Sequence, residues 1–328
     1  MNYKNPRIAI AGATGLVGRT MLKVLEEQAF PYSSIKLLAS PRSAGTNIKF
    51  KGESLVVEEL KENSFEDIDI ALFSCGGETS KVYAPFAVKS GAYVIDNSSA
   101  WRMDNSKSLV VPEVNSHHIP EEPSIIANPN CSTIQMVVTL KPIADLYGLR
   151  KVICSTYQSI SGAGQTGMDK LERELSIPLS DQKKDHIAYN TLFHPYQDNG
   201  HTNEEIKMMK ETKKIMSLKN IDISVTCVRL PTFGGHAESI WVQTEREADL
   251  SELQQTYSES EGIVYSDEFS NGDYPTPLSV NGRDEVFISR LRKDNVLENG
   301  LFMWVVADNL RKGAATNAVQ IAQKLLIK

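Results

Sequence analysis

A chain of 328 residues is long enough for two domains, each with its own core, and 41% apolar with 23% charged residues is the balance of an ordinary globular protein. A formal net charge of −6 excludes the broad cationic surface that non-specific nucleic-acid binding needs. Four widely spaced cysteines, Cys75, Cys131, Cys154 and Cys227, form no Cys-x-x-Cys pair, which argues against a disulfide framework or a cysteine zinc site and for a reducing cytoplasm.

The first strand, 7–11, runs into Gly12-Ala13-Thr14-Gly15-Leu16-Val17-Gly18 and then a helix through Met21, Val24 and Leu25. No secretory leader precedes it. A second strand over 35–39 ends at Ser40-Pro41-Arg42-Ser43, and strands over 68–73 and 92–96 flank a helix over 81–90. Alternating strand and helix imply right-handed crossovers and a parallel sheet, with ligands beyond the carboxyl ends of the strands. Pro129 then breaks the chain, Ser132 and Thr133 can cap, and 134–147 is apolar on most sides, the pattern of a buried helix.

Beyond that helix the character changes to β-rich runs over 151–159, 223–231, 239–244, 285–292 and 301–307. Several alternate apolar with polar residues, as an antiparallel sheet with one helix-covered face does. A polar helix is predicted over 202–216, another from near Asp249, and a packed terminal helix over 313–326. The longest strongly apolar run, 301–307, is far too short to span a bilayer. The fold expected is α/β: a Rossmann-type dinucleotide-binding domain over 1–130, completed by a C-terminal helix over 309–328, and an α+β domain over 131–308 on a mostly antiparallel sheet.

Gly12, Gly15 and Gly18 form a G-x-x-G-x-x-G variant of the dinucleotide fingerprint, in the strand-to-helix context that gives it meaning. Glycine lets the backbone approach a pyrophosphate, and the helix start supplies N–H donors, so Gly12, Thr14, Gly15, Leu16, Val17 and Gly18 are the expected contacts. An NAD site places an acid after the second strand for the ribose hydroxyls; this chain has Ser40, Arg42 and Ser43 there. A cation with hydroxyl donors suits a 2′-phosphate and favours NADP, against the plainer reading of Arg42 as a solvated surface residue. Cys75 and Gly76, after the third strand, look like a cofactor-facing turn, while the cysteine side chain itself, like those of Cys154 and Cys227, reads as a buried apolar bystander.

Cys131, at the start of its helix, meets unpaired backbone N–H groups and the positive end of the dipole, which favour a thiolate and can hold an oxyanion. Free cysteine is also a common buried apolar residue, so this context alone leaves the choice open. A second dense cluster is Arg229-Leu230-Pro231-Thr232-Phe233-Gly234-Gly235-His236: a strand delivers Arg229, a proline ends it, and a glycine turn presents His236. Paired with Cys131, His236 leads as general acid/base. His117, His118, His186, His194 and His201 read as loop or helix-surface residues. Glu204 and Lys207, three apart on a helix, share a face; spacing alone prefers an exposed ion pair.

With these segments in place, the chain resembles the aspartate-semialdehyde dehydrogenase family along essentially its whole length. The likeness is carried by the glycine turn, Asn97-Ser98-Ser99-Ala100-Trp101-Arg102, Asn128-Pro129-Asn130-Cys131-Ser132-Thr133, Gln158-Ser159-Ile160-Ser161-Gly162-Ala163-Gly164, 229–236, and Asp308-Asn309-Leu310-Arg311-Lys312-Gly313. It implies that Cys131 is the nucleophile and His236 the acid/base, that Arg229 pairs with the substrate α-carboxylate, and that Glu204 meets its α-amino group with Gln158 nearby. It further implies Arg102 and Lys207 at the phosphate, Asn130 beside the nucleophile, and Ser161, Gly162, Asn309 and Lys312 at the cofactor. The reaction implied is NADPH-dependent reductive dephosphorylation of L-aspartyl 4-phosphate to L-aspartate 4-semialdehyde through a Cys131 thioacyl intermediate, with no metal. It would serve lysine, methionine and threonine biosynthesis in a cytoplasmic homodimer or dimer of dimers, with no nucleic-acid or membrane partner. The competing readings are an N-acetyl-glutamyl-phosphate reductase, which typically has glycine where Asn130 stands and lacks the Glu204/Lys207 pairing, and a non-catalytic NADP-binding redox sensor.

Overall fold

The computed structural model describes residues 4–197, 199–267, 272 and 274–327. It divides into two compact units, Met1–Asn130 with Ala314–Lys328, and Cys131–Gly313.

In the first unit the strands are β1 (Arg7–Ala11), β2 (Ser34–Ala39), β3 (Asn47–Phe50), β4 (Glu53–Glu59), β5 (Ile70–Phe73), β6 (Tyr93–Asp96), β7 (Ser108–Leu109) and β8 (Ile125–Ala127). The helices are α1 (Leu16–Glu27), α2 (Gly77–Lys89), the single turn α3 (Pro112–Asn115) and the C-terminal helix Thr316–Leu326. The strands form one sheet in the order β3-β4-β2-β1-β5-β6-β8-β7, parallel except for the β3–β4 pair. Along β1, Ile8 and Ile10 pack toward Met21 and Leu25 of α1 and Val319 and Ile321 of the C-terminal helix. Ala9 and Ala11 point the other way, toward Phe73 and the Ala84 and Ala87 positions of α2. A strand buried on both faces reads as a continuous apolar run, and this one does.

The β3–β4 hairpin was not among the predicted elements. Its two strands, of which β3 is the edge of the sheet, are polar on the outer face, and only Ile48, Phe50 and Val57 are buried. The turn between them is Lys51-Gly52, both at positive φ, the geometry that matches hairpin twist. Helix α2 begins at Gly77, four residues before the predicted 81, because Gly76 at φ 84° turns the chain straight off β5. The C-terminal helix is tied to the sheet by buried amides: Asn317 Nδ2 donates to Val110 O at 3.0 Å and to Asn128 Oδ1 at 2.7 Å, while Asn128 Nδ2 donates to Asn97 Oδ1 at 2.8 Å.

The second unit contains α4 (Cys131–Tyr147), β9 (Lys151–Gln158), α5 (Gly164–Leu175), β10 (Leu192–Phe193), α6 (Asn203–Ile215), β11 (Asp222–Arg229), β12 (His236–Gln243), α7 (Leu250–Glu259), β13 (Ile263–Tyr265), β14 (Val286–Lys293) and β15 (Gly300–Ala307). Its sheet runs β10-β11-β9-β12-β15-β14-β13, mostly antiparallel, with parallel pairs at β11–β9 and β13–β14. Helices cover one face, held by contacts such as Tyr257 Oη of α7 donating to Thr139 O of α4 at 2.9 Å. On the sheet's other face Ile153 is half exposed. Helix α6 carries the capping box its sequence offers: Thr202 Oγ1 accepts from Glu205 N–H, and the Glu205 carboxylate accepts from Thr202 N–H at 2.7 Å. Among the described residues no helix is long and apolar enough to cross a membrane.

Glu238 of β12 is fully buried, beside the Gln135 amide of α4 and opposite Thr156 of β9. Burial pushes its carboxyl well above the ordinary range, so the folded chain holds this proton more tightly than the unfolded chain does. Stability from this residue is therefore complete below the unfolded value near 4.5 and is lost as pH rises above it. Thermal unfolding of Glu238→Gln is expected to fall less than that of the wild type between about pH 5 and about pH 8. Parallel melting curves would refute this.

Candidate active site

Strand β9 ends at Gln158, β11 ends at Arg229 and β12 begins at His236. The register sets Arg229 opposite Gln158 on one side and His236 opposite it on the other. Side chains directly opposite in a sheet share a face, so arginine, glutamine and histidine stand in one row across three strands. Gly234 and Gly235 make a turn directly before His236, and pairing to both β9 and β15 makes the histidine the first residue of β12.

Cys131, half-buried, is the first residue of α4, where the backbone N–H groups lack helical partners and no acid shares the turn. Gln158 Nε2 donates to Ser132 Oγ at 2.7 Å, which joins the row to the start of this helix. Gly313 closes against the cysteine: a Cβ there would lie 2.8 Å from Cys131 Cβ, so no larger residue fits. Arg229 is mostly buried, and burial pulls its guanidinium down from the usual range while Cys131 and Glu204 oppose that shift. Its Nη1 donates to Ile160 O at 3.4 Å. A Cβ on Gly162 would stand 3.6 Å from His236 Nε2 and 3.8 Å from Arg229 Nη1, so that glycine borders both groups.

The ring of His236 is buried, and burial brings its pKa down to about 4, so it is neutral at physiological pH. The Ser159 backbone N–H, which can only donate, gives its hydrogen to His236 Nδ1 at 3.1 Å. The neutral ring therefore carries its proton on Nε2. Ser159 and Ser161 each donate to Asn309 Oδ1 at 3.1 Å, and Gly235 N–H donates to the same oxygen. Asn309 thus braces the loops on both sides of the histidine. Lys312, in the π-helical turn Arg311–Ala315, is fully buried.

Glu204 and Lys207 form an ion pair at 3.1 Å, but Glu204 is buried and its Oε1 lies 3.5 Å from Gln158 Nε2. The exposed-pair reading is corrected: the strand edge beside α6 takes Glu204 out of solvent. His194 was read as a surface or loop residue and is instead partly buried, with Nε2 2.7 Å from Gln158 Oε1. Ser132, Ser159, His194 and Gly313 were not among the expected site residues; Ser132, Ser159 and Gly313 each adjoin one that was (Cys131, Gln158 and Lys312), whereas His194 had no such signal.

In the first unit, Gly12, Thr14, Gly15, Ser40, Arg42, Ser43 and Cys75 line a groove of about 430 Å³ at the carboxyl ends of β1, β2 and β5. Among the described residues no acidic one lines it. Helix α1 opens on it without a side-chain cap, so its first N–H groups are available to an anion. Burial pushes the Cys75 thiol up to about 12, so it is an inert wall. Gly18 is buried within the turn, where a Cβ would meet Gly12 O at 2.2 Å, and Gly76 caps α2. Leu16 and Val17 are the first two residues of α1, outside the groove's lining. Arg102 is buried, its Nε donating to Asn128 O and Nη2 to Asn97 O, both at 2.9 Å; Asn130 is buried at the end of the unit.

The family profile "Semialdehyde dehydrogenase, NAD binding domain" matches residues 7–122, and "Semialdehyde dehydrogenase, dimerisation domain" matches 140–312. The chain is 53% identical to aspartate-semialdehyde dehydrogenase of Aquifex aeolicus over 98% of each chain. It is 47% identical to that of Bacillus subtilis over 97% of this chain and 96% of the other. Among solved structures it is similar to aspartate semialdehyde dehydrogenase II of Vibrio cholerae, crystallised with ASA, at a TM-score of 0.94 and 44% identity over 99% of each chain. Whole-length identity at this level, over a fold that sets an arginine and a histidine at strand ends linked through Gln158 and Ser132 to the start of the Cys131 helix, leads to one assignment: the chain belongs to the aspartate-semialdehyde dehydrogenase family.

Proposed function

We propose that this chain reduces L-aspartyl 4-phosphate to L-aspartate 4-semialdehyde, with Cys131 as nucleophile and NADPH held in the first unit's groove. The observation that carries the reading is the Arg229–Gln158–His236 row joined through Ser132 to the Cys131 helix. The Cys131 thiolate attacks the acyl carbon; a C–S bond forms, the C–O bond to phosphate breaks, and phosphate leaves with the electron pair. NADPH, when bound, supplies the hydride that reduces the thioacyl carbon and departs as NADP+. The oxygen then re-forms its double bond and expels the sulfur as thiolate, and the one proton consumed overall ends on phosphate. His236 holds its proton on Nε2, from which it donates to negative charge on the sulfur and then on the oxygen.

Arg229 suits the α-carboxylate, because a guanidinium binds it in a two-toothed grip. Glu204 suits the α-ammonium group, and Lys207 adds positive charge for phosphate. For the cofactor, Arg42, Ser40 and Ser43 in an acid-free groove support NADP over NAD. We also infer a homodimer formed through the second unit, supported by the dimerisation-domain match and the half-exposed Ile153 on the sheet face opposite the helices. The cytoplasm, which keeps thiols reduced, is the compartment this chemistry needs.

The test is phosphate-dependent NADP+ reduction with L-aspartate 4-semialdehyde against N-acetyl-L-glutamate 5-semialdehyde. The expected preference for the former is at least about a hundredfold in kcat/KM, since the buried Glu204 would face an uncharged acetamide in the latter. A preference for the acetylated compound would overturn the assignment.

A further inference from the structure

We propose that His194 is a positioning residue that sets the orientation of the Gln158 amide, and through it the substrate pocket, by donating from Nε2 to Gln158 Oε1. The inference rests on the function proposed above. It begins from the two ends of Gln158. Its Nε2 lies 3.5 Å from Glu204 Oε1 and 2.7 Å from Ser132 Oγ, while its Oε1 lies 2.7 Å from His194 Nε2. An ionised carboxylate only accepts hydrogen bonds, so the amide atom facing Glu204 must be the NH₂ group. The oxygen is thereby left facing the imidazole, and an amide oxygen only accepts. His194 must then be the donor.

The alternative orientation is electrostatically worse. Turned over, Gln158 would point its oxygen at the Glu204 carboxylate and its NH₂ at the imidazole, setting two electronegative atoms together on side chains that are both buried. His194 prevents this, because its Nε2–H has no use for an NH₂ group. Its own placement comes from the two-residue strand β10, where Leu192 pairs with Arg229 and Phe193 with Val228. That pairing anchors the residue just before the imidazole to the same strand that ends in Arg229. The groups around the ring are Glu204 and Glu205 of α6, Lys207 of α6 and Arg229 of β11; burial outweighs them and lowers its pKa, which keeps the ring neutral with a single N–H to place.

Removing the donor leaves a buried amide oxygen unpaired and the amide free to turn, and it disturbs the ground state and the transition state alike. His194→Leu is therefore expected to raise the KM for L-aspartate 4-semialdehyde about tenfold or more, with kcat altered less than about threefold. NADP+ affinity, set in the other unit, should not follow. His194→Gln, whose NH₂ group reaches about as far as Nε2, is expected to bring KM back to within about threefold of wild type. Because His194 acts through Gln158, His194→Leu combined with Gln158→Ala should be no worse than Gln158→Ala alone.

Three kinetic results would each overturn the proposal: an unchanged KM in His194→Leu, a His194→Gln defect as large as that of His194→Leu, or multiplying defects in the double variant. A readout independent of turnover separates this inference from the proposed function. Nitrogen NMR of the histidine side chains in the wild-type chain should show neutral His194 as the Nε2–H tautomer, and an Nδ1–H tautomer overturns the inference whatever the chain reduces. Wild-type chain inert toward the semialdehyde would instead strike the proposed function, leaving the tautomer to decide the positioning role.

Discussion

Cys131→Ser is expected to lose at least about a thousandfold in kcat while keeping wild-type NADP+ affinity and thermal stability. The hydroxyl is nearly the size of the thiol, so the contact with Gly313 survives, and the groove lined by Gly12 and Arg42 lies in a unit the substitution does not touch. What disappears is an atom that can exist as an anion near neutral pH and later leave as one. Serine lacks both properties, and the helix N-terminus does not bring an alkoxide within reach. Steady-state assay with semialdehyde, phosphate and NADP+, beside an NADP+ titration, checks both halves. Residual turnover above about one per cent of wild type would remove Cys131 from the chemistry.

The second large effect lies at the glycine turn. Gly12 sits at φ 90°, and a Cβ there would stand 2.4 Å from Ser74 O and 2.6 Å from Ser74 C. Neither partner retreats without straining hydrogen bonds: Gly12 N–H and Ala13 N–H both donate to Leu38 O, and Ser74 N–H donates to Ala11 O. Gly12→Val therefore meets backbone strain of about 1–3 kcal/mol and an overpacking penalty of about 1–3 kcal/mol, a large share of ordinary domain stability. The expected result is a chain that unfolds at much lower denaturant or fails to accumulate. Gly12→Ala, with the same clash but no branch, is expected to fold with its NADP+ affinity reduced about tenfold or more, since the ends of β1 and β5 must part where the groove is lined. Wild-type stability and affinity in the alanine variant would contradict the close-packed turn.

The first unit was largely legible from residues because its signals are local. Ile8 and Ile10, then three glycines at fixed spacing, then Met21 and Leu25 at helical spacing specify a strand, a turn and a helix without reference to anything distant. The β3–β4 hairpin escaped notice although Ile48, Phe50, Leu55 and Val57 alternate around Lys51-Gly52. Its charged outer faces diluted the apolar signal that marks the central strands. In the second unit the strand runs were readable, but not their order, and β12 proved to start three residues earlier than its apolar run suggested.

The active-site candidates divide in the same way. Cys131 and His236 stood out through their neighbours, Pro129 and the paired glycines. His194 did not, because a two-residue edge strand leaves no periodicity to read. Glu238 gave no sign of its burial either, since a carboxylate within a strand is as readily placed on a solvated face.

What the order of residues settled was the kind of chemistry available: a thiol at a helix start, a guanidinium and an imidazole at strand ends, and a glycine turn of the dinucleotide-fingerprint pattern followed by a cation where NAD sites carry an acid. What folding had to supply was register. Gln158 lies more than seventy residues before Arg229 and His236, and the three meet because β9, β11 and β12 pair with no slip. A slip of one residue would turn one of those side chains to the opposite face. Local composition says which groups exist, but pairing over such separations depends on the whole sheet closing around one core, and no stretch of sequence carries that information alone.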